Sequence, residues 1–285
     1  MKLLVTGAAG MLGRDVMLAA GNAGHDVVGY GRAELDVTDP GALDRKLGLE
    51  RPDVVINCAA WTDVDGAEEA EEAAFAINGR GAGNVAAAAS TIEAGVVHVS
   101  TDYVFDGAKG SPYVESDQPA PQSAYGRTKL AGEEAVAAAN RRHFIVRSAG
   151  LYGVGGRNFV DTMLRLAEVQ NEVLVVRDQS TSPTYTWHLA YGIVRLIEGI
   201  EYGIHHMAAA GYCSWYEFAR EIFEQAKVEC KVLSGTTEML GRPAPRPAFS
   251  ALVSQREHAI RLPVWQDGLA GYLAQRQAQE GTETE

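Results

Sequence analysis

The sequence predicts an α/β protein built on a doubly wound parallel sheet, with a smaller C-terminal lobe. Three observations predict it. Five short apolar runs, at residues 2–6, 26–30, 54–57, 96–100 and 143–147, alternate with helical patterns. The first run passes directly through a glycine-rich turn into a helix. After Gly150 the pattern changes, which divides the chain into residues 1–150 and a lobe of residues 151–285.

Residues 2–6 are almost wholly apolar, as a strand buried on both faces requires. Gly7-Ala8-Ala9-Gly10-Met11-Leu12-Gly13 follows, with GxxGxxG spacing. Glycines let a backbone approach a pyrophosphate, and the helix N-terminus beyond them offers free N–H donors and positive dipole. A plain strand–helix turn would use the same residues. Their position directly after the first strand favours phosphate binding.

The second strand, residues 26–30, ends in Gly31-Arg32. A carboxylate there would favour NAD by bonding the ribose hydroxyls, whereas a guanidinium suits a 2′-phosphate. The expected cofactor is therefore NADPH, with NADH as the alternative and a solvated loop arginine as the bland reading of Arg32. Asp36 and Val37 come next, placed to flank the adenine. Asp39-Pro40 opens a helix, with Asp as cap and Pro in the first turn.

The third strand, residues 54–57, runs into Asn57-Cys58-Ala59-Ala60, whose small side chains leave room for a ligand. The acidic run at 68–72 reads as a solvated helix start and 78–89 as an alanine-rich helix. The fourth strand ends in Ser100-Thr101-Asp102-Tyr103-Val104-Phe105-Asp106-Gly107. Ligands of open α/β sheets sit at strand carboxyl ends, so Thr101 is a candidate donor to a substrate carbonyl. Strand propensity alone also explains a threonine there.

A proline-punctuated loop leads to a helix at 125–139, where Tyr125 and Lys129 lie one turn apart on one face. A phenol beside an ammonium is an acid–base pair. The positive charge is expected to lower the phenol's pKa from its ordinary ~10 towards working pH. Beyond Gly150, helices are expected at 158–168, 186–198 and 215–226, and strands at 173–176 and 204–207. The lobe is expected to bind substrate and to return elements to the sheet.

Composition narrows the class. A formal net charge of −12 argues against nucleic-acid binding. No run approaches the ~20 apolar residues of a membrane span. Cys58, Cys213 and Cys230 form no paired motif, so reduced thiols and a cytoplasmic location are expected. The polar tail 275–285 is expected to fray.

Together, GxxGxxG, Asn57-Cys58-Ala59-Ala60, Thr101 and Tyr125-x-x-x-Lys129 resemble the extended short-chain dehydrogenase/reductase superfamily, whose sheet is Rossmann-type. Ser-Thr-Asp-Tyr-Val-Phe-Asp-Gly at 100–107, Tyr-Gly-Arg-Thr-Lys-Leu-Ala-Gly-Glu at 125–133 and Asn-Phe-Val-Asp-Thr-Met-Leu-Arg-Leu at 158–166 narrow it. They are similar to the dTDP-4-dehydrorhamnose reductases, and the likeness continues through Asp178-Gln179, Pro183-Thr184 and Arg246-Pro247.

The resemblance implies NAD(P)H-dependent reduction of the 4-keto group of dTDP-4-dehydro-L-rhamnose. By position it implies a catalytic trio of Thr101, Tyr125 and Lys129. Gly7, Gly10, Met11, Leu12 and Gly13 would hold the pyrophosphate, and Asp36, Val37, Ala59 and Ala60 the adenosine side. Thr62 and Asp102 would sit near the sugar, and Arg246 near the nucleotide diphosphate.

Two departures stand out. Many members carry tryptophan at the position of Gly150, where the ring packs on the sugar. Gly150 is expected to leave that space empty unless Trp61, Tyr103 or Tyr152 fills it, so the hexose stays open. Some relatives link a dimer through magnesium. Asp15 matches one acid, but His188 stands where another is expected, so no metal is predicted and a homodimer stays open. A dehydratase would need a glutamate where Tyr103 stands. A sugar-nucleotide epimerase and a non-catalytic nucleotide-binding regulatory subunit are the remaining rivals.

Overall fold

Apolar strand residues alternate between two faces, and both faces of this chain's central strands are covered. In the computed structural model, which describes residues 1–282, Leu3 and Leu4 are both fully buried but belong to different cores. β1 (Lys2–Thr6) feeds α1 (Met11–Asn22), and β2 (Asp26–Tyr30) feeds α2 (Pro40–Glu50). Asp39 caps α2 by accepting from Ala42 N, as the Asp-Pro pair predicts. β3 (Val54–Asn57) leads through α3 (Val64–Glu69), α4 (Glu71–Phe75), a π-helical turn at Ala76–Gly81 and α5 (Ala82–Thr91) to β4 (Gly95–Thr101). α6 (Ala124–Ala139) starts from Ser123, whose side chain accepts from Gly126 N, and returns to β5 (His143–Ser148).

The second half runs β6 (Leu151–Tyr152), α7 (Phe159–Ala167), β7 (Glu172–Val176), β8 (Ser180–Thr181) and β9 (Thr184–Tyr185). It continues as α8 (Thr186–Leu196), β10 (Gly203–His206), β11 (Cys213–Ser214), α9 (Trp215–Ala226), β12 (Lys231–Gly235), α10 (Thr237–Leu240) and α11 (Trp265–Thr282). The main sheet has the order β10-β5-β4-β3-β1-β2, and every pairing in it is parallel. Strand order reverses at β1, between β2 and β3. The crevice for a ligand in a doubly wound sheet opens at the carboxyl ends beside such a reversal.

One face is covered by α1 and α8, which bury Val16, Leu189 and Ile193 on Leu3 and Val5. The other is covered by α2, α5 and α6, with Leu43, Val85 and Val136 on Leu4 and Val55. α8 and β10 thus belong to the main sheet's layers although they lie beyond residue 150. The remaining lobe has its own core of Phe218, Ile222, Leu269 and Tyr272, with Val173 and Val175 of β7. No described helix is long and apolar enough to cross a membrane.

Two expectations change. The helix expected at 78–89 begins instead as the π turn Ala76–Gly81. Asn78 explains it: its side chain accepts from Trp61 N and donates to Trp61 O and Thr128 Oγ1, which pulls that turn towards α6. The tail expected to fray from 275 is helical to Thr282. Leu269, Tyr272 and Leu273 pack in the lobe core, and Tyr185 donates to Gln275 Oε1 at 2.5 Å. Residues 283–285 of that expectation lie outside the described residues.

A buried ion pair locks α6 to the sheet. Arg147 of β5 donates to Glu133 through Nε (2.9 Å to Oε1) and Nη2 (2.6 Å to Oε2), and Ser100 adds a third bond at 2.5 Å. Both charged side chains are at least 96% buried, with 1% and 4% exposure. Removing one member strands the other's charge, which costs about 3–5 kcal/mol. Arg147→Met is expected to lower urea-unfolding stability by that amount, and Glu133→Leu with Arg147→Met to recover much of it. A single variant within ~1 kcal/mol of wild type would show the pair to be unimportant.

Candidate active site

The glycine turn lies where β1 ends and α1 begins. Gly7 has φ 66°, and a Cβ there would come within 2.7 Å of Ala59 N. A Cβ on Gly13 would collide with Gly7 O. The turn therefore packs against the end of β3, with the Ala8 and Gly10 N–H groups bonded to Tyr30 O and Gly7 O, and α1 begins at Met11. Gly10, Met11, Leu12 and Gly13 line a cavity of about 640 Å³. A backbone cradle that any side chain would fill, opening on a helix N-terminus, fits a dinucleotide pyrophosphate.

The same cavity is lined by Ala60, Thr62, Thr101, Asp102, Tyr125 and Lys129. Gly7 and Ala59, which approach one another closely, lie outside its lining. Arg32, Asp36 and Val37 lie outside its lining. The Arg32 side chain is 79% exposed and 3.8 Å from Asp36 Oδ2. Asp36 accepts from the Thr38 backbone and hydroxyl, and Val37 is buried in the core beneath α5. Arg246 also lies outside the lining. Its Nη1 and Nη2 donate to Asp65 at 3.0 and 2.9 Å, which holds the Asp65 carboxyl down at about 2.

β4 carries Thr101 to the cavity floor. Its hydroxyl donates to Asp102 Oδ1 at 2.9 Å and accepts from Tyr103 N at 3.2 Å. Burial pushes Asp102 up to about 6, against hydrogen bonds from Ser250 and Thr101 that favour its charge. α6 brings Tyr125 and Lys129 alongside. Tyr125 meets the Tyr103 ring edge-on at 5.5 Å. Lys129 is 2% exposed, and its Nζ donates to Val99 O at 2.6 Å.

The expected pKa relation between the two is corrected here. Burial raises the Tyr125 phenol to about 12 and the Asp102 charge adds to the rise; the lowering contribution comes from the Thr101 hydroxyl. Lys129 is not the group that lowers it, because its Nζ is turned to the sheet, towards Val99 O and His98. Burial brings Lys129 itself down to about 8. Tyr125 at rest is therefore a protonated acid.

Gly150 is also corrected. It has φ 54°, and a Cβ there would meet Pro183 Cα at 3.2 Å and Thr181 Cγ2 at 3.4 Å. The space is occupied by the Thr181–Pro183 segment, not by Trp61, Tyr103 or Tyr152. Tyr152 is fully buried in the lobe core against Tyr185 and Tyr272. The tryptophan ring that joins Gly150 in the lining is Trp215, at the start of α9. Sequence reading saw α9 only as an amphipathic helix; its first residue, next to the Ser214 cap, was the available signal. Ser148, Arg157, Gln179, Ser180, Pro247 and Ser250 are among the other lining residues not singled out as candidates from the sequence. Ser148 Oγ is buried with no hydrogen-bond partner among the described residues. His188, on α8, packs edge-on against Tyr185 at 5.2 Å.

Comparison with known proteins identifies the family. Residues 1–278 match the RmlD substrate binding domain family. The dTDP-4-dehydrorhamnose reductase of Mycolicibacterium smegmatis is 43% identical over 90% of this chain and 79% of its own. The dTDP-4-keto-6-deoxy-D-glucose reductase of Streptomyces niveus is 45% identical over 77% of each chain. A crystal structure of dTDP-4-dehydrorhamnose reductase from Bacillus anthracis in complex with NADP superposes with a TM-score of 0.94, at 38% identity, over 96% of this chain and 99% of that one. By motif order, sheet topology and a match over nearly its whole length, the chain belongs to the RmlD substrate binding domain family.

Proposed function

We propose that this protein is an NAD(P)H-dependent oxidoreductase that reduces the 4-keto group of dTDP-4-dehydro-L-rhamnose to give dTDP-L-rhamnose, a step in nucleotide-sugar and cell-surface polysaccharide biosynthesis. The observation that carries this reading is that Thr101, Tyr125 and Lys129 share one cavity with the phosphate-binding start of α1. Residues 1–150 hold the cofactor and 151–285 mainly the sugar nucleotide. Gly7, Gly10, Met11, Leu12 and Gly13 hold the pyrophosphate, and Asp36, Val37, Ala59 and Ala60 the adenosine side. The exposed Arg32 guanidinium favours NADPH, with NADH as the alternative.

A bound reduced nicotinamide supplies hydride to the carbonyl carbon. The protein's part is the oxygen. Tyr125 gives its proton to that oxygen as it becomes alkoxide-like, and Thr101 turns its hydroxyl from Asp102 to donate to the same atom. Lys129 reaches the nicotinamide ribose, and it favours the phenolate that Tyr125 leaves once its Nζ turns from Val99 O. Thr62 and Asp102 contact the sugar, and Arg246, while paired with Asp65, borders the diphosphate. The reaction takes place in the cytoplasm on a small molecule, not on nucleic acid, and the reading admits a homodimer.

A second reading keeps the reaction and changes the hexose. Gly150 favours it, because this chain carries no side chain at that position and a Cβ there would meet Pro183 Cα at 3.2 Å. The Streptomyces niveus relative, whose name gives a different 4-keto sugar, supports it too.

One assay separates the two readings. The protein is given dTDP-4-dehydro-L-rhamnose with NADPH or NADH, and the product's C4 configuration is determined. Expected are one NADPH oxidised per dTDP-L-rhamnose formed and a lower KM for NADPH than for NADH. An inverted C4 centre would assign another hexose, and no net oxidation would leave an epimerase or a regulatory subunit. Tyr125→Phe is expected to keep cofactor affinity while kcat falls by about 10²–10⁴-fold. Turnover within threefold of wild type would remove Tyr125 as the acid.

A further inference from the structure

Lys129 ends a hydrogen-bonded chain that runs along one face of the sheet, across β1, β3 and β4. Asn57, at the end of β3, accepts at Oδ1 from Thr6 Oγ1 (2.7 Å) and from the Ala59 backbone N–H (3.2 Å). A backbone N–H can only donate, so this contact sets which way the amide faces. Asn57 Nδ2 therefore donates to His98 Nδ1, 3.2 Å away. His98 is fully buried on β4, and burial keeps its ring neutral. A neutral imidazole that accepts at Nδ1 carries its proton on Nε2. That N–H faces Lys129 Nζ at 3.4 Å. Against an ammonium, donor meets donor; against an amine, donor meets lone pair.

We propose that His98 is a positioning residue that disfavours the charged form of Lys129, through the Nε2–H that it presents to Nζ. The inference rests on the assignment of Lys129 to the acid–base machinery. The other groups around Nζ do not reverse it. Val99 O accepts from Nζ in either charge state. Glu133, one turn along α6, favours the ammonium, but its oxygens are taken by Arg147 and Ser100. Cys58, beside the end of β3, and Tyr125, on α6, are both raised by burial to about 12 and stay uncharged. Burial lowers Lys129 in the direction that the facing N–H reinforces. The charge available to stabilise the Tyr125 phenolate is then set along the α6 face of the sheet, by Asn57 and Ala59.

The test is made on the resting protein, without cofactor or substrate, by NMR of ¹⁵N-histidine and ¹³Cε-lysine. His98 is expected as the neutral Nε2–H tautomer from pH 6 to 9, with Lys129, identified by the signal lost in Lys129→Met, titrating near 8. In His98→Leu the facing N–H is lost and nothing replaces it, and the Lys129 midpoint should rise by about one pH unit. An unmoved midpoint overturns the proposal. If His98→Leu does not fold, the wild-type ring decides: an Nδ1–H tautomer or an imidazolium overturns it equally. These readings need no turnover. They stand apart from full activity in Lys129→Met, which would instead remove Lys129 from the proposed mechanism.

Discussion

The close approach of α6 to β4 sets the rest of the site. Two glycines let α6 lie close to the segments that flank β4: a Cβ on Gly126 would run into Tyr103 O, just past the strand's end, and one on Gly132 into Asn78 O of the π-helical turn. The Glu133–Arg147 pair then holds the helix down. That approach buries Lys129 against the sheet and places Tyr125 one turn earlier, at the cavity wall. A helix a few ångströms further out would leave both side chains hydrated. Their pKa values would then return towards the ordinary ones.

The electrostatics of the cavity follow from that burial. The Tyr125 phenol is raised, the Asp102 carboxyl is raised and Lys129 is lowered, each chiefly by loss of water. All three shifts favour the uncharged form. Such a site suits proton donation to an oxygen that gains charge. It suits removal of a carbon-bound proton poorly, because no strong base stands ready at rest. Tyr103, where a dehydratase would need glutamate, is also a phenol held neutral by burial. New negative charge grows on the carbonyl oxygen as it is reduced, and Thr101 and Lys129 line the cavity in which it does.

Much of this was legible in the sequence because it is local. The glycine turn, the hydroxyls at the end of β4 and the four-residue step from Tyr125 to Lys129 are each read within ten residues. What was not legible came from tertiary folding. Trp215, Ser250 and Pro247 reach the cavity from the far end of the chain, and no spacing announces them. Asp65 and Arg246 pair across 181 residues of sequence. His98 hides in a strand otherwise read by its apolar pattern, and its role follows only from the Asn57 amide it faces. Gly150 was read as missing bulk. The chain supplies that bulk from Thr181 and Pro183, which a single sequence does not place opposite it. The pKa relation between Tyr125 and Lys129 failed for a similar reason: helical spacing gives a shared face, but not where Nζ finds its acceptor.

The central claim is that Tyr125 hands a proton to the substrate oxygen during reduction. Its most direct test is the rate of cofactor oxidation in a single turnover, with enzyme in excess, in H₂O and in D₂O, for wild type and Tyr125→Phe. A slower wild-type turnover in D₂O, and a much slower Tyr125→Phe turnover, are the results expected. Equal wild-type rates in the two solvents, with an unimpaired Tyr125→Phe, would contradict it and place proton delivery elsewhere.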